Sequence, residues 1–447
     1  MIQRAIDWLR QGAHAAAYAD AVVLLARQPE NGAVVDLLVR AAACAERQEE
    51  ALEFLRRFSH RIGLIDYGRA QVSLLLLAGD LDAARNVVAD LACVPEAGRV
   101  HAGLMIAIAE REGNFEVLLE QMRERERLVR NYPFAWLIAR WEVQRQLGQH
   151  IEVMQEAAKL EKVLPEQYPH ERCVVRLQRA MAVHNILQFE ESTAIALDVI
   201  KHLLDSSAWP ANPVSSARLW TWRRQGIVAA EIERLVLTEE LPVSLHAGTL
   251  LALIREGNFF PTDQDMDLAA LPPATSAMVV QALIATQAFR LQPLALDLGS
   301  FRSLVHIRTG LAVDVTEYQQ EGDRFVSTWR HPSGVVLRRA TVPAFSVQLV
   351  DHPGVARRLP LPQVPREQLR ATYGNWEIPD PEFDTLVSAP NVMEFTAFLG
   401  SVASIRLADA MLSGRRGAAQ HLAQRLRTED IAPELMKRIT DESPKSL

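Results

Sequence analysis

Cysteine is nearly absent from the 447 residues: Cys44, Cys93 and Cys173 all lie in the first half, with no CxxC pair and no histidine nearby at ligand spacing. This scarcity fits a reduced compartment, and the lack of any cysteine after Cys173 excludes a cysteine-ligated zinc from the second half. Long apolar runs are missing as well. The opening MIQRAIDWLRQGAHAAAYADAVVLL is broken by Asp7, Arg10 and Asp20, so it has no secretory apolar core. Val72 to Ala78 falls far short of the ~20 apolar residues a membrane helix needs. A cytoplasmic protein without a transmembrane segment is expected, any membrane contact being peripheral. Positive charge is not in excess: a net charge of −7 and a pI near 6.0 leave no general footprint for nucleic acid. The pairs Arg338-Arg339, Arg357-Arg358 and Arg415-Arg416 either face solvent or remain available to phosphates. There is also no GxSxG elbow, no GxxxxGKS loop, no HExxH and no Rossmann glycine fingerprint.

What is present suits two or three domains with an ordinary core, since 49% of the residues are hydrophobic. From residue 1 to about 205 glycine and proline are scarce, and apolar residues recur at three- and four-residue spacing, as in FEVLLEQM from Phe115. Gly79, Gly113 and Gly148 stand 34 and 35 residues apart, with Gly12 and Gln48 extending the series upstream. Five positions after several of these turns comes a small or apolar residue, Ala17, Ala84, Leu118 or Val153, where paired helices would pack. Pro29 and Pro165 fall where a second helix should stop. The pattern resembles a tetratricopeptide-type array of five or six helical hairpins over residues 1–208. Such an array offers a concave face for a protein partner or an extended glycan, or buttresses its neighbour. Tyr132, Trp136 and Trp141 read as repeat core. Trp209-Pro210-Ala211-Asn212-Pro213 marks the boundary to a second domain, 214–447.

In that second domain SARLWTWRRQGIVAAEIERLVLTEE reads as one amphipathic helix. After it the chain alternates: strand Val243–Ala247, helix Gly248–Glu256, strand Asp265–Leu271, helix Ala274–Phe289, then strands Leu294–Leu298, Ser303–Arg308 and Leu311–Tyr318. RFVSTWR and GVVLRRA form a hairpin across His331-Pro332-Ser333-Gly334, and Asn391 to about Arg427 returns to helix. On a strand at DMDLAAL, Asp265 and Asp267 share one face with Met266 and Leu268 opposite, a geometry suited to a hard divalent cation. Asp314 is the single acid within an apolar alternation and needs a partner or a metal. An EF-hand is excluded, because counting from Asp263 the sixth position is Leu268 rather than glycine and the twelfth is Ala274 rather than glutamate.

Gly248-Thr249-Leu250-Leu251, Arg255, Gly257, Phe260-Pro261, Asp263, Asp265 and Asp267 resemble the signature of the LicD/fukutin-related phosphotransferases, a branch of the nucleotidyltransferase fold. A second match follows at Val364-Pro365, Leu369, Tyr373-Gly374, Trp376 and Pro379. Ala252, Thr262 and Gln264 depart from the usual glycine, tryptophan and aspartate, which alters the pocket beside the metals. The fold expected is therefore the N-terminal TPR-like α-solenoid of the repeats followed by the mixed α/β nucleotidyltransferase domain that this resemblance implies. The resemblance implies Mg2+ or Mn2+ on Asp265, Asp267 and Asp314, the last on a neighbouring strand. It further implies transfer of a phospho-alcohol such as phosphocholine, glycerol phosphate or ribitol phosphate from a CDP-linked donor to a glycan acceptor. Within that scheme Gly248 and Thr249 contact phosphate at a helix start, and Asp263 orients or deprotonates the acceptor or supports a ligand. Arg255 neutralises phosphate or is solvated. Tyr373 and Trp376 stack on a base, shape the acceptor pocket or belong to the core. His246 and His331 are satisfied by local hydrogen bonds. Two alternatives stay open: transfer of a nucleotide to a sugar, protein or small molecule, and an interaction scaffold with a nucleotide site that does not turn over.

Overall fold

The structure, a computed structural model, describes residues 1–94, 98–128, 134–205, 222–239, 241–261 and 263–441. It divides into an N-terminal helical region and a C-terminal region built on sheets, a mixed α/β protein. The boundary expected at Trp209–Pro213, Tyr132, Thr262 and the start of the helix expected from Ser216 lie outside the described residues.

The first region is six helix pairs: α1 Ile2–Arg10 with α2 His14–Arg27, α3 Gly32–Ala45 with α4 Gln48–Arg57, and α5 Leu64–Ala78 with α6 Leu81–Ala92. The series continues with α7 Gly98–Glu112 and α8 Phe115–Leu128, α9 Phe134–Gln146 and α10 His150–Val163, and α11 Pro169–Asn185 and α12 Phe189–Asp205. Each helix packs on the next. The turn within a pair needs one residue in the left-handed region, which glycine enters without steric cost. Gly12, Gly79, Gly113 and Gly148 occupy it with φ of 75°, 81°, 69° and 74°. In the second and sixth pairs Glu46 and Leu187 take it instead, at φ 54° and 65°; the upstream repeat mark is thus Glu46 rather than Gln48. Ala17, Ala84, Leu118 and Val153 are fully buried. Trp141 is 1% exposed, with its indole N–H donated to Glu156 at 2.9 Å, and Trp136 packs partly buried against a neighbouring cluster, so both are core.

The second region begins with α13 Trp222–Glu239, β1 Val243–Leu245, α14 Ala247–Glu256, β2 Asp265–Ala270 and α15 Ser276–Ala285. It continues through β3 Phe289–Gln292, β4 Phe301–His306 and β5 Ala312–Glu317. These strands form one sheet ordered β1-β2-β5-β4-β3, in which only β2 and β5 run parallel. Two smaller sheets follow, one of β6 Gln319–Glu321, β7 Arg324–Arg330 and β8 Val336–Pro343, the other of β9 Val347–His352 and β10 Arg357–Pro362. Then come α16 Pro365–Tyr373, α17 Ala397–Leu412, α18 Arg416–Thr428 and α19 Pro433–Asp441.

Two expectations need correction. Leu294–Leu298 is not a strand; Pro293 removes a backbone donor just after β3, and the apolar run leaves the sheet so that Leu296 packs with Phe189, Leu337 and Phe398. The C-terminal helices do not belong to the second region alone. On α17, Leu399, Ala403, Leu407, Ala410 and Met411 are all fully buried, and a helix that is apolar on most of its surface must be covered on several sides. Cys173, Leu177, Val199 and Ile200 of α11 and α12 cover one side, and Leu422 and Ala423 of α18 another. A buried polar chain joins them: His184 Nδ1 lies 2.8 Å from Ser401 Oγ, Ser401 donates to Ser192 Oγ at 2.9 Å, and Ser192 donates to the carbonyl of Ala180 at 2.8 Å. Among the described residues no helix is long and apolar enough to cross a membrane.

Candidate active site

On β2 the side chains alternate as the sequence predicts: Met266 and Leu268 are buried at 0% and 1% exposure, while Asp265 and Asp267 sit half-buried on the opposite face. The parallel register sets Asp267 beside Asp314 of β5, and the antiparallel register sets Asp314 beside Ser303 of β4. Paired residues share a sheet face, so three strands present Asp265, Asp267, Asp314, Ser303, Phe301 and Thr316 on one surface. That surface floors a cleft of about 690 Å³.

The turn from β1 into α14 supplies the next layer. Gly248 N–H donates to Asp267 Oδ2 at 2.9 Å and Thr249 N–H to the same oxygen at 3.3 Å, while Asp267 N–H donates to Thr249 Oγ1 at 2.8 Å. These amides are the orphan donors of a helix start, and a carboxylate is their natural acceptor. A Cβ on Gly248 would stand 3.3 Å from that oxygen, 3.8 Å from Asp263 Oδ2 and 4.0 Å from the Tyr373 hydroxyl. Glycine therefore lets the helix start close on the acids. Ala247 before it has φ 41°, a left-handed conformation that strains a residue with a side chain, and it lines the cleft.

Burial and mutual repulsion govern the acids. Burial first, then Asp265, pushes Asp263 up to about 7, and the two carboxyls share a hydrogen bond. Burial, aided by Asp265, raises Asp314 to about 6 against the pull of the Ser303 hydroxyl. Asp267 is held well above the usual carboxylate range by burial and then by Asp265, Asp314 and Asp263. A hard cation relieves such repulsion, and oxygen donors on one face are the set Mg2+ prefers. Among the described residues no group of three His, Cys, Asp or Glu side chains is arranged to hold a metal ion as it stands. Mg2+ ordinarily takes one or two carboxylates and completes its shell with water and substrate phosphate, so the pair Asp265 and Asp267 fits that donor set without a protein cage.

Of the residues singled out in the sequence, Asp263, Asp265, Asp267, Asp314, Gly248 and Tyr373 meet in the cleft. Tyr373 packs its ring 5.4 Å from that of Phe383. Three others stand outside the lining. Thr249 is fully buried and positions Asp267, so its amide and that of Gly248 are engaged by a carboxylate rather than turned to a phosphate. Arg255 pairs with Glu256 at 2.7 Å, donates to the Trp376 carbonyl at 3.3 Å and lies over the Phe260 ring. Trp376 is 6% exposed and part of the core. His246 Nε2 lies 2.8 Å from the Tyr318 hydroxyl and burial lowers its pKa to about 4, so it is neutral; His331 bonds locally to Ser333 at 2.8 Å.

The far wall comes from residues no motif covers. Arg338 of β8, Asp384, Arg406 of α17 and Arg415 line it, with Arg406 on both Asp384 oxygens at 2.6 Å and Arg415 on Asp409 at 2.6 Å. Only the arginine pairs at 338–339 and 415–416 signalled this wall in the sequence. The other arginine pair, Arg357 and Arg358, faces Glu233 and Asp351 instead. No protein-family model matches the chain, and no curated protein matches it.

Proposed function

We propose that the protein is a metal-dependent phosphotransferase that moves a phospho-alcohol from a CDP-linked donor to a glycan acceptor. The observation that carries this reading is the cross-strand placement of Asp267 beside Asp314, with Asp265 on the same face and a helix start closed on Asp267. Phosphoryl transfer needs positioning and charge neutralisation more than a covalent nucleophile, and a floor of carboxylates supplies the ligands for such neutralisation. Asp265 and Asp267, with Asp314 adjacent, would hold Mg2+ or Mn2+, which supplies neutralisation of the donor's phosphate oxygens. Asp263 precedes the strand and lines the cleft beside these carboxylates, which suits it to accept a proton from an acceptor hydroxyl. Ser303 and the amides of Gly248 and Thr249 fix the orientations of Asp314 and Asp267. The nucleotidyltransferase fold, the TPR-like character of the six helix pairs, their service as a partner platform and a cytoplasmic location belong to the same reading.

The test is incubation of the purified protein and Mg2+ with CDP-choline, CDP-glycerol or CDP-ribitol and a panel of oligosaccharides, read by product mass. A gain of the phospho-alcohol supports the reading. Mass gain of a nucleotide identifies nucleotidyl transfer instead, and unimpaired transfer by Asp265→Ala or Asp267→Ala refutes the metal mechanism.

A further inference from the structure

Arg338 is the buried cation of the cleft. Its side chain lines the far wall although the residue is only 9% exposed. Nε donates to the Leu386 carbonyl at 3.2 Å and Nη2 to the Thr385 carbonyl at 3.4 Å, and the guanidinium lies over the Trp329 ring, 5.3 Å from its centroid. Nη1 has no hydrogen-bond partner among the described residues and is not sealed from solvent, in a residue that lines the cleft. No carboxylate forms an ion pair with Arg338 among the described residues. Burial dominates its surroundings; the groups acting on it are Tyr318 and then Asp384, and Asp384 gives both oxygens to Arg406. An arginine stays charged, and a desolvated charge without a counter-ion is costly unless a ligand supplies one. The cleft thus has two poles, carboxylates on the floor and one uncompensated guanidinium on the wall.

We propose that Arg338 is the oxyanion-binding residue of this cleft, taking phosphate oxygens of a substrate through Nη1 at the pole opposite the carboxylates. The anion site itself stands on the geometry; the identity of its ligand as a substrate phosphate rests on the phosphotransfer reading. Arg338 thereby takes the part that the sequence offered to Arg255, whose guanidinium is occupied elsewhere. The same phosphate chemistry is carried by the diphosphate of a nucleotide donor or by a phosphate on the acceptor sugar, and the test separates them.

Inorganic pyrophosphate, CDP and glucose 6-phosphate are titrated calorimetrically into the full-length protein, in EDTA and in Mg2+. Wild type is compared with Arg338→Gln, Arg338→Lys and Asp265→Ala/Asp267→Ala. Loss of a charge-assisted contact predicts pyrophosphate binding weaker by about tenfold or more in Arg338→Gln, in both buffers. Arg338→Lys, which keeps the charge but loses the guanidinium that the Leu386 and Thr385 carbonyls hold in place, weakens it by a smaller factor of about threefold. The double aspartate variant retains binding in EDTA. A preference for CDP assigns the site to the donor, and a preference for glucose 6-phosphate assigns it to the acceptor. Wild type that binds no anion in either buffer, or Arg338→Gln that binds as wild type does, overturns the proposal. If Arg338→Gln does not fold, unchanged pyrophosphate affinity in Arg338→Lys overturns it. Anion binding in EDTA without any Mg2+-dependent transfer would leave this site standing and remove the phosphotransfer reading.

Discussion

Replacing Asp267 by asparagine separates the two consequences of its carboxylate. The amide oxygen of asparagine still accepts from Gly248 and Thr249, so the helix start keeps its partner, while the charge disappears from a cluster of four acids. The sign follows from the raised pKa values. A folded-state value above the ordinary 3.8 means that the folded protein holds a proton the unfolded chain has released. The stability from that proton is complete below about pH 3.8 and is lost as pH rises through about 6 for Asp314 and about 7 for Asp263. One pKa unit is about 1.4 kcal/mol, so the ceilings at pH 8 are about 4 kcal/mol for Asp263 and about 3 kcal/mol for Asp314. Water entry and side-chain relaxation bring the realised cost well below these ceilings. Asp267→Asn should therefore stabilise the metal-free protein by about 1 kcal/mol or more at pH 8 and by less at pH 5, because Asp263 and Asp314 ionise between the two and Asp267 adds to their repulsion. Urea unfolding in EDTA at the two pH values, followed by tryptophan emission and compared by apparent midpoint, measures this directly. A variant no more stable than wild type at pH 8, or equally stabilised at both pH values, would refute the electrostatic account.

Three further outcomes follow from the packing. Gly374 ends α16 at φ 65° and ψ −106°, a combination closed to residues with a side chain, so Gly374→Ala should cost about 1–3 kcal/mol in thermal unfolding. Gln287 is exposed and left-handed at φ 61° just beyond α15, and Gln287→Gly should raise stability by about 1 kcal/mol or less; a loss would show that its side chain supports the turn. Leu407 is fully buried where α17 meets α11 and α12, so Leu407→Ala should cost about 2–5 kcal/mol. Hydrogen exchange in that variant should accelerate in α11, α12 and α18 together, whereas acceleration confined to α18 would separate the cleft wall from the helix pairs.

The parts legible in the sequence are those written by local periodicity. Alternation over DMDLAAL set the faces of Asp265 and Asp267, and strict alternation around Asp314 marked it as an acid needing a partner. Glycines marked four of the six intra-pair turns, but Glu46 and Leu187 enter the same left-handed region without the residue type that announces it. The run Leu294–Leu298 misled because apolar residues serve a docking segment as well as a strand, and periodicity alone does not separate the two. The pairing of β5 beside β2 skips two strands in chain order, so the contact of Asp267 with Asp314 is a property of the sheet and not of either segment. The far wall is non-local too. α17 and α18 reach the cleft from a core shared with α11 and α12, and nothing in their own sequence names that destination.

The central claim is that Asp265 and Asp267 make a divalent-cation site for a nucleotide diphosphate. Calorimetric titration of the purified protein with CDP and CTP, with and without Mg2+ and beside an Asp265→Ala/Asp267→Ala double variant, tests it most directly. The account predicts binding that Mg2+ strengthens and a double variant that loses this strengthening; binding whose affinity is indifferent to Mg2+ and to both substitutions would contradict it.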